Sequence, residues 1–208
     1  DLSSSKRICM RGHGGSAMSI FKNADGKSVL LKMVKGIQDN KAYLGEVDGL
    51  IGDGDHGMNM NKGFSLFEER FKDKEFSFSE GLDDLGTILF NEIGGSMGPI
   101  YGNILMGMAE AGEDLEEIGV ADLAAMLENG LKELQDIVEA QVGDKTLVDT
   151  LSPAVDVLKA AEGSGKDYKE ALEEMKAAAE KGRDSTKDMV AKFGRSSRLG
   201  ERSRGVLD

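Results

Sequence analysis

Chemistry in this sequence concentrates between residues 48 and 61, which read Asp48-Gly-Leu-Ile-Gly-Asp53-Gly-Asp55-His56-Gly57-Met58-Asn59-Met60-Asn61. Three carboxylates, a histidine, two amides and four glycines stand there between two helical patterns. On a continuous helix Asp53 and Asp55 would point roughly 200° apart, so they converge only on a loop. Gly52, Gly54 and Gly57 supply the backbone freedom such a loop needs and let a ligand approach the main chain. Three acids held together with no Lys or Arg near them in the sequence would repel one another. A hard divalent cation on carboxylate oxygens resolves that repulsion, and magnesium is the first candidate.

Three familiar patterns fail on inspection. An EF-hand starting at Asp53 would need an oxygen-bearing side chain at Gly57, a glycine at Met58 and a glutamate at Phe64. Gly52 to Gly57 spells G-x-G-x-x-G, but no β-branched strand precedes it, and two aspartates would face a pyrophosphate. Gly163-Ser164-Gly165-Lys166 hints at a phosphate loop, yet Asp167 follows the lysine and the first glycine is missing. That segment is expected to be a helix–helix turn.

The elements that must hold the acidic loop are helical. Val29, Leu30, Met33, Val34, Ile37, Leu44 and Val47 recur mostly at spacings of three and four, with seven between Ile37 and Leu44. They predict one amphipathic helix over about 26–46. Met60, Phe64, Phe67 and Phe71 predict a second helix starting near Gly57 and read as core. Its free amides and positive dipole end would face whatever the metals hold. Ser79 is the expected cap of a helix through Leu82, Leu85, Leu89 and Ile93. Gly94-Gly95-Ser96 then precedes a helix with Pro99 in its first turn, running from Ile100 to about Ala111. That glycine-rich step would aim amides and a hydroxyl at a ligand; a plain interhelical turn is the other reading. Stripes at Val120 to Val138, Leu151 to Ala161 and Tyr168 to Ala179 predict three more helices. No sustained period-two alternation occurs, so the expected class is all-α, with short loops joining antiparallel neighbours.

The chain of 208 residues is long enough for one domain with a sizeable core. Lys plus Arg number 26 against 38 Asp plus Glu, a net charge of −12, which disfavours a nucleic acid partner. Arg195, Arg198, Arg202 and Arg204 cluster against that background, either as a field for one phosphorylated ligand or as a solvated basic tail. A single cysteine, Cys9, precludes an intramolecular disulfide and agrees with a reducing, cytoplasmic setting. No run reaches the ~20 apolar residues of a membrane span. Residues 1–17 lack helical period and read as a leader introduced by cloning, which leaves 18–208 as the expected domain and His56 as its histidine.

Asp-x4-Asp-x-Asp-His-Gly-x-Asn-Met, from Asp48 to Met60, resembles the signature of the nucleotide-binding L subunit of dihydroxyacetone kinases. Three further segments resemble that family in order and spacing: Gly94-Gly95-Ser96-Met97-Gly98-Pro99-Ile100-Tyr101-Gly102, Gly143-Asp144-Lys145-Thr146-Leu147-Val148-Asp149, and Gly194-Arg195 through Arg202-Ser203. The related fatty-acid kinase domain carries threonine where His56 stands, which favours the dihydroxyacetone branch. The resemblance implies antiparallel amphipathic helices arranged as a barrel, with a nucleotide at its rim. It implies a phosphotransferase component holding ADP or ATP through two magnesium ions on Asp48, Asp53 and Asp55. The nucleotide contacts it implies fall on His56, Gly57, Met58, Asn59, Ser96, Met97, Leu147, Arg195 and Asp208.

Three departures from the family pattern stand out. Met97 replaces a usual serine near the phosphates, and Leu147 replaces a methionine that packs on adenine. The sequence stops at Asp208, where the family continues Pro-Gly-Ala and a last helix, so that helix is expected to be missing. In the stand-alone L subunit the phosphoryl donor is a phosphoprotein of the sugar phosphotransferase system, and dihydroxyacetone waits on a separate K subunit; a homodimer is left open. Other readings are a regulatory adaptor that binds a transcription factor according to nucleotide state, a His56 phosphocarrier, and a structural metal loop.

Overall fold

The computed structural model describes residues 20–208; the leader expected over 1–17, with Cys9, lies outside the described residues. Among them run α1 (Lys27–Asp39), α2 (Lys41–Ile51), α3 (His56–Phe71), α4 (Phe78–Glu92), α5 (Met97–Gly112), α6 (Val120–Ile137), α7 (Val148–Ala161) and α8 (Tyr168–Ser185). Two short 3-10 turns, Thr186–Asp188 and Arg195–Ser203, follow α8. The protein is all-α, as the periodicity predicts. Its one departure is a pair of two-residue strands, β1 (Phe21–Lys22) and β2 (Glu117–Ile118), paired antiparallel with Phe21 opposite Ile118. A pairing that short leaves no alternation to read.

Helices α3 to α8 each pack on the next in sequence, and α1 lies against both α3 and α4. The Arg195–Ser203 turn returns to α2, so the two ends of the described chain close the ring. One continuous apolar core fills it, from Leu30 and Val34 on α1 through Phe64 and Phe67 on α3 to Val155 and Leu158 on α7. Removing this much apolar surface from water is what holds helices of ordinary length together. Among the described residues no helix is long and apolar enough to cross a membrane.

Two local expectations need correction. The helix predicted over 26–46 is two helices, broken at Asn40, whose side-chain amide donates to the Gly36 carbonyl at 2.8 Å and ends α1. The seven-residue gap between Ile37 and Leu44 was the trace of that break. Helix α2 buries none of its residues completely, because it lies on the rim rather than in the core. The cap of α4 is Ser77, not Ser79: Ser77 accepts from the Glu80 amide at 3.1 Å and Glu80 accepts from the Ser77 amide at 2.7 Å. That reciprocal arrangement satisfies two otherwise orphaned donors. Ser79 is instead buried, its hydroxyl accepting from Asn23 at 3.1 Å. The turn between α7 and α8 contains Gly163 to Lys166, as expected.

Candidate functional site

The acidic residues come from three kinds of backbone. Asp48 projects from the last turn of α2, Asp53 sits on the connecting loop, and Asp55 is the N-cap position of α3. The sequence placed Asp48 on the loop; α2 runs past it to Ile51. Gly54 turns the loop with a φ of 78°, a left-handed conformation that a side chain would strain. One carboxylate oxygen from each aspartate lies within 4.8 Å of the other two. The His56 amide donates to Asp48 Oδ2 at 3.2 Å, and the Asp55 amide donates to Asp53 Oδ1 at 3.4 Å. Both bonds use one carboxylate oxygen of their acceptor, Asp48 Oδ2 and Asp53 Oδ1. Hard oxygen donors at this spacing fit a divalent cation such as magnesium.

The expectation of no basic neighbour fails in space. Arg195, distant in sequence, pairs its guanidinium with Asp53. Its side chain is 71% exposed, so the contact is a surface pair that a ligand could exchange.

The triad lines a cleft of about 690 Å³. Asp48, Asp53, Asp55, His56, Asn59, Ser96, Met97, Leu147, Arg195 and Asp208 all line it. Gly57 and Met58 do not: Gly57 is packed against α2, and the Met58 side chain is 64% exposed outside the cleft. They can contribute only backbone amides of the first turn of α3, which have no partner within the helix. Ser96 occupies the N-cap position of α5 without making a side-chain cap, which leaves its hydroxyl available. Burial lowers the affinity of His56 for a proton, against the opposing pull of Asp48 and Asp55. Its ring meets Tyr101 edge-on at 5.8 Å, and burial pushes the Tyr101 hydroxyl up to about 12.

The same cleft has an apolar lining as well, formed by Ile100, Leu134, Val138, Ala140, Leu147 and Phe193. Periodicity assigns Leu134 and Val138 to a helical stripe, and Leu134 is indeed core; that the stripe also meets the cleft is not visible in the spacing. Lys145 and Thr146 also line the cleft and were passed over, although they stand inside a quoted segment. That segment is tied to itself: buried Asp149 accepts from the amides of Gly143 at 2.6 Å and Thr146 at 2.9 Å. Asp144 binds Lys192 at 2.8 Å, which joins this loop to the one carrying Arg195 and holds the Asp144 carboxyl below its ordinary range. A cleft lined both by a carboxylate cluster that could hold a cation and by apolar side chains suits a ligand with a charged part and an apolar part.

Comparison with known proteins agrees with this geometry. The DAK2 domain model matches residues 50–208. The ADP-binding subunit DhaL of a PEP-dependent dihydroxyacetone kinase from Listeria innocua is 35% identical over 175 residues, 83% of this chain and 81% of that protein. The corresponding subunit of the PTS-dependent enzyme from Lactococcus lactis is 37% identical, covering 83% and 82%. That of Escherichia coli K12 is 36% identical, covering 80% of each. Among solved structures, native dihydroxyacetone kinase of C. freundii superposes with a TM-score of 0.69 at 19% identity. This chain spans 36% of that one, so the likeness speaks for the fold. The same kinase in complex with AMP-PNP and Mg2+ gives a TM-score of 0.67. On a match running through the fold and through the loops that build the cleft, the chain belongs to the DAK2 domain family and to its dihydroxyacetone-kinase L subunits, which are phosphotransferase components.

Proposed function

We propose that the cleft holds ADP or ATP by way of two magnesium ions on Asp48, Asp53 and Asp55, and relays a phosphoryl group to dihydroxyacetone carried by a separate K subunit. The observation that carries this reading is the convergence of three carboxylate oxygens within 4.8 Å in a cleft that is also lined by apolar side chains. Bound magnesium supplies charge neutralisation and orientation of phosphate oxygens, most of what phosphoryl transfer asks of a protein.

The chain's own residues do the rest. Amides of Gly57 and Met58 at the start of α3, with the Asn59 side chain, donate toward phosphate oxygens, while the His56 and Asn59 amides hold Asp48 and the Asp55 carbonyl. The Ser96 hydroxyl and the Met97 amide do so from the opposite side. Arg195 exchanges its pairing with Asp53 for phosphate, where its planar fork binds two oxygens. Leu147, with Leu134, Val138 and Phe193, excludes water from the face of the base. Asp208 closes the wall near Tyr101. The donor is a phosphoprotein of the sugar phosphotransferase system, and the nucleotide stays bound and is rephosphorylated in place, in the cytoplasm.

Mass spectrometry of protein purified without added nucleotide tests this directly. Retained ADP is expected, and it should leave on chelation of magnesium. Failure to retain or bind ADP at any magnesium concentration would remove the proposal. Acid-labile phosphate on His56 in place of nucleotide would identify a phosphocarrier.

A further inference from the structure

Lys145 is the one non-glycine among the described residues with positive φ, at 62°. A left-handed backbone is strained for a lysine, and glycine would occupy it more easily. The side chain is nevertheless fully buried, although it ends in a charge. A buried ammonium persists only where its protons find acceptors. Here Nζ donates to the carbonyl of Thr186 at 2.6 Å and to that of Val206. The first acceptor lies in the turn after α8 and the second in the segment 204–208, so the ammonium ties together two pieces of chain remote from its own loop.

Further bonds converge on the same segment. The Asp208 amide donates to the Thr186 hydroxyl at 3.0 Å, and the Gly205 amide donates to the Lys187 carbonyl at 2.7 Å. Thr186 is itself fully buried. The segment adds no side chain to the buried apolar core, yet Asp208 at its end lines the cleft beside Lys145. The bonds therefore serve placement more than core packing.

We propose that Lys145 is a positioning residue for the nucleotide cleft, pinning segment 204–208 to Thr186 and so fixing the wall to which Asp208 belongs. The inference rests on reading the cleft as a nucleotide site. It assigns Lys145 no contact with substrate: the residue acts through the strap that it holds. Removing the ammonium leaves the Val206 carbonyl without this donor and the Thr186 carbonyl with the Met189 amide alone, and it frees the strap to leave the wall while the three aspartates stay as they are.

The test uses the full chain, with Lys145→Met, Thr186→Val and the double variant. ADP with magnesium, and Mn2+ alone, are titrated separately by calorimetry, and amide exchange is followed over 204–208. Lys145→Met should weaken ADP binding about tenfold or more and speed exchange in the strap. Mn2+ affinity should stay within about twofold, because the triad is carried by other elements. Thr186→Val should weaken ADP in the same direction, and the double variant should lose less than the sum, since both act through one strap. A generally damaged fold would instead lower both affinities together, and that result overturns the inference. So does unchanged ADP binding by Lys145→Met. Should that variant fail to fold, Thr186→Val decides alone: its selective loss of ADP supports the strap, and normal binding refutes it. A wild-type chain that binds no ADP would take down the functional reading along with this inference, whereas wild-type binding with an indifferent Lys145→Met takes down this inference alone.

Discussion

Gly57 packs its Cα against the carbonyl oxygen of Lys41, with no room for a Cβ between α3 and α2. The sequence suggested a loop glycine that bares the main chain to a ligand; its place is a helix–helix contact. That contact seats the first turn of α3 on α2 and lets the His56 amide reach Asp48. Gly57→Ala must push the helices apart. A loss of about 1–3 kcal/mol in stability is expected from such overpacking, together with weaker Mn2+ binding as Asp48 leaves its partners. Urea melts and Mn2+ titrations of the variant check both; a variant matching wild type in each would show that the close approach is dispensable.

Asp53→Asn and Asp55→Asn should leave the helical fold intact and abolish nucleotide retention. Without ligand Asp55→Asn should melt at or slightly above the wild-type temperature, because a like charge has been removed from a crowded cluster, whereas Asp53→Asn also gives up the exposed pair with Arg195 and should stay near wild type. With magnesium and ADP the wild type should rise and the variants should not. Thermal melts with and without ligand decide it, and equal ligand-induced shifts would end the metal assignment.

Arg195→Lys replaces a planar fork with a point charge and should weaken ADP binding roughly tenfold, about 1.4 kcal/mol. Arg204 looks like a natural control from sequence, but its guanidinium holds the Asp188 carbonyl and Glu201. Arg202, exposed and away from the cleft, is the proper one, and Arg202→Lys should be silent. Calorimetric titration at one magnesium concentration and one ionic strength compares them. Equal silence of the two substitutions would return the segment to an ordinary solvated tail.

The purified chain by itself should not phosphorylate dihydroxyacetone from ATP at a useful rate. His56 is the one histidine among the described residues, and it faces the acid cluster instead of a separate ketone pocket. A coupled assay of the chain with and without a K subunit measures this, and turnover by the chain alone would place the acceptor site here.

Helix positions and the acidic triad were legible in the sequence because both leave local marks, in periodicity and in glycine spacing. What escaped is non-local. Arg195 meets Asp53 only after the ring of helices closes, so no window around residue 53 shows it. Lys145 was hidden differently: a lysine among polar neighbours reads as solvated, and only its two carbonyl partners explain why it is fully buried. The division at Asn40 left a faint trace, a missed beat in an otherwise regular stripe. Leu134 is core and Val138 packs against it, in keeping with their stripe, yet both also line the cleft, which a stripe alone does not show.

The cleft draws its walls from Asp48 at one extreme and Asp208 at the other, with Ser96 and Leu147 between. On the proposed reading of the cleft, early helices can pair with their successors as they emerge during synthesis, while nucleotide capture waits until Asp208 has followed them. Ligand binding on that reading checks that sequence-distant walls are joined: a chain nicked between Asp48 and Asp208 should be well folded over much of its length and still capture ADP poorly, and only joined walls should gain protection from proteolysis by the ligand.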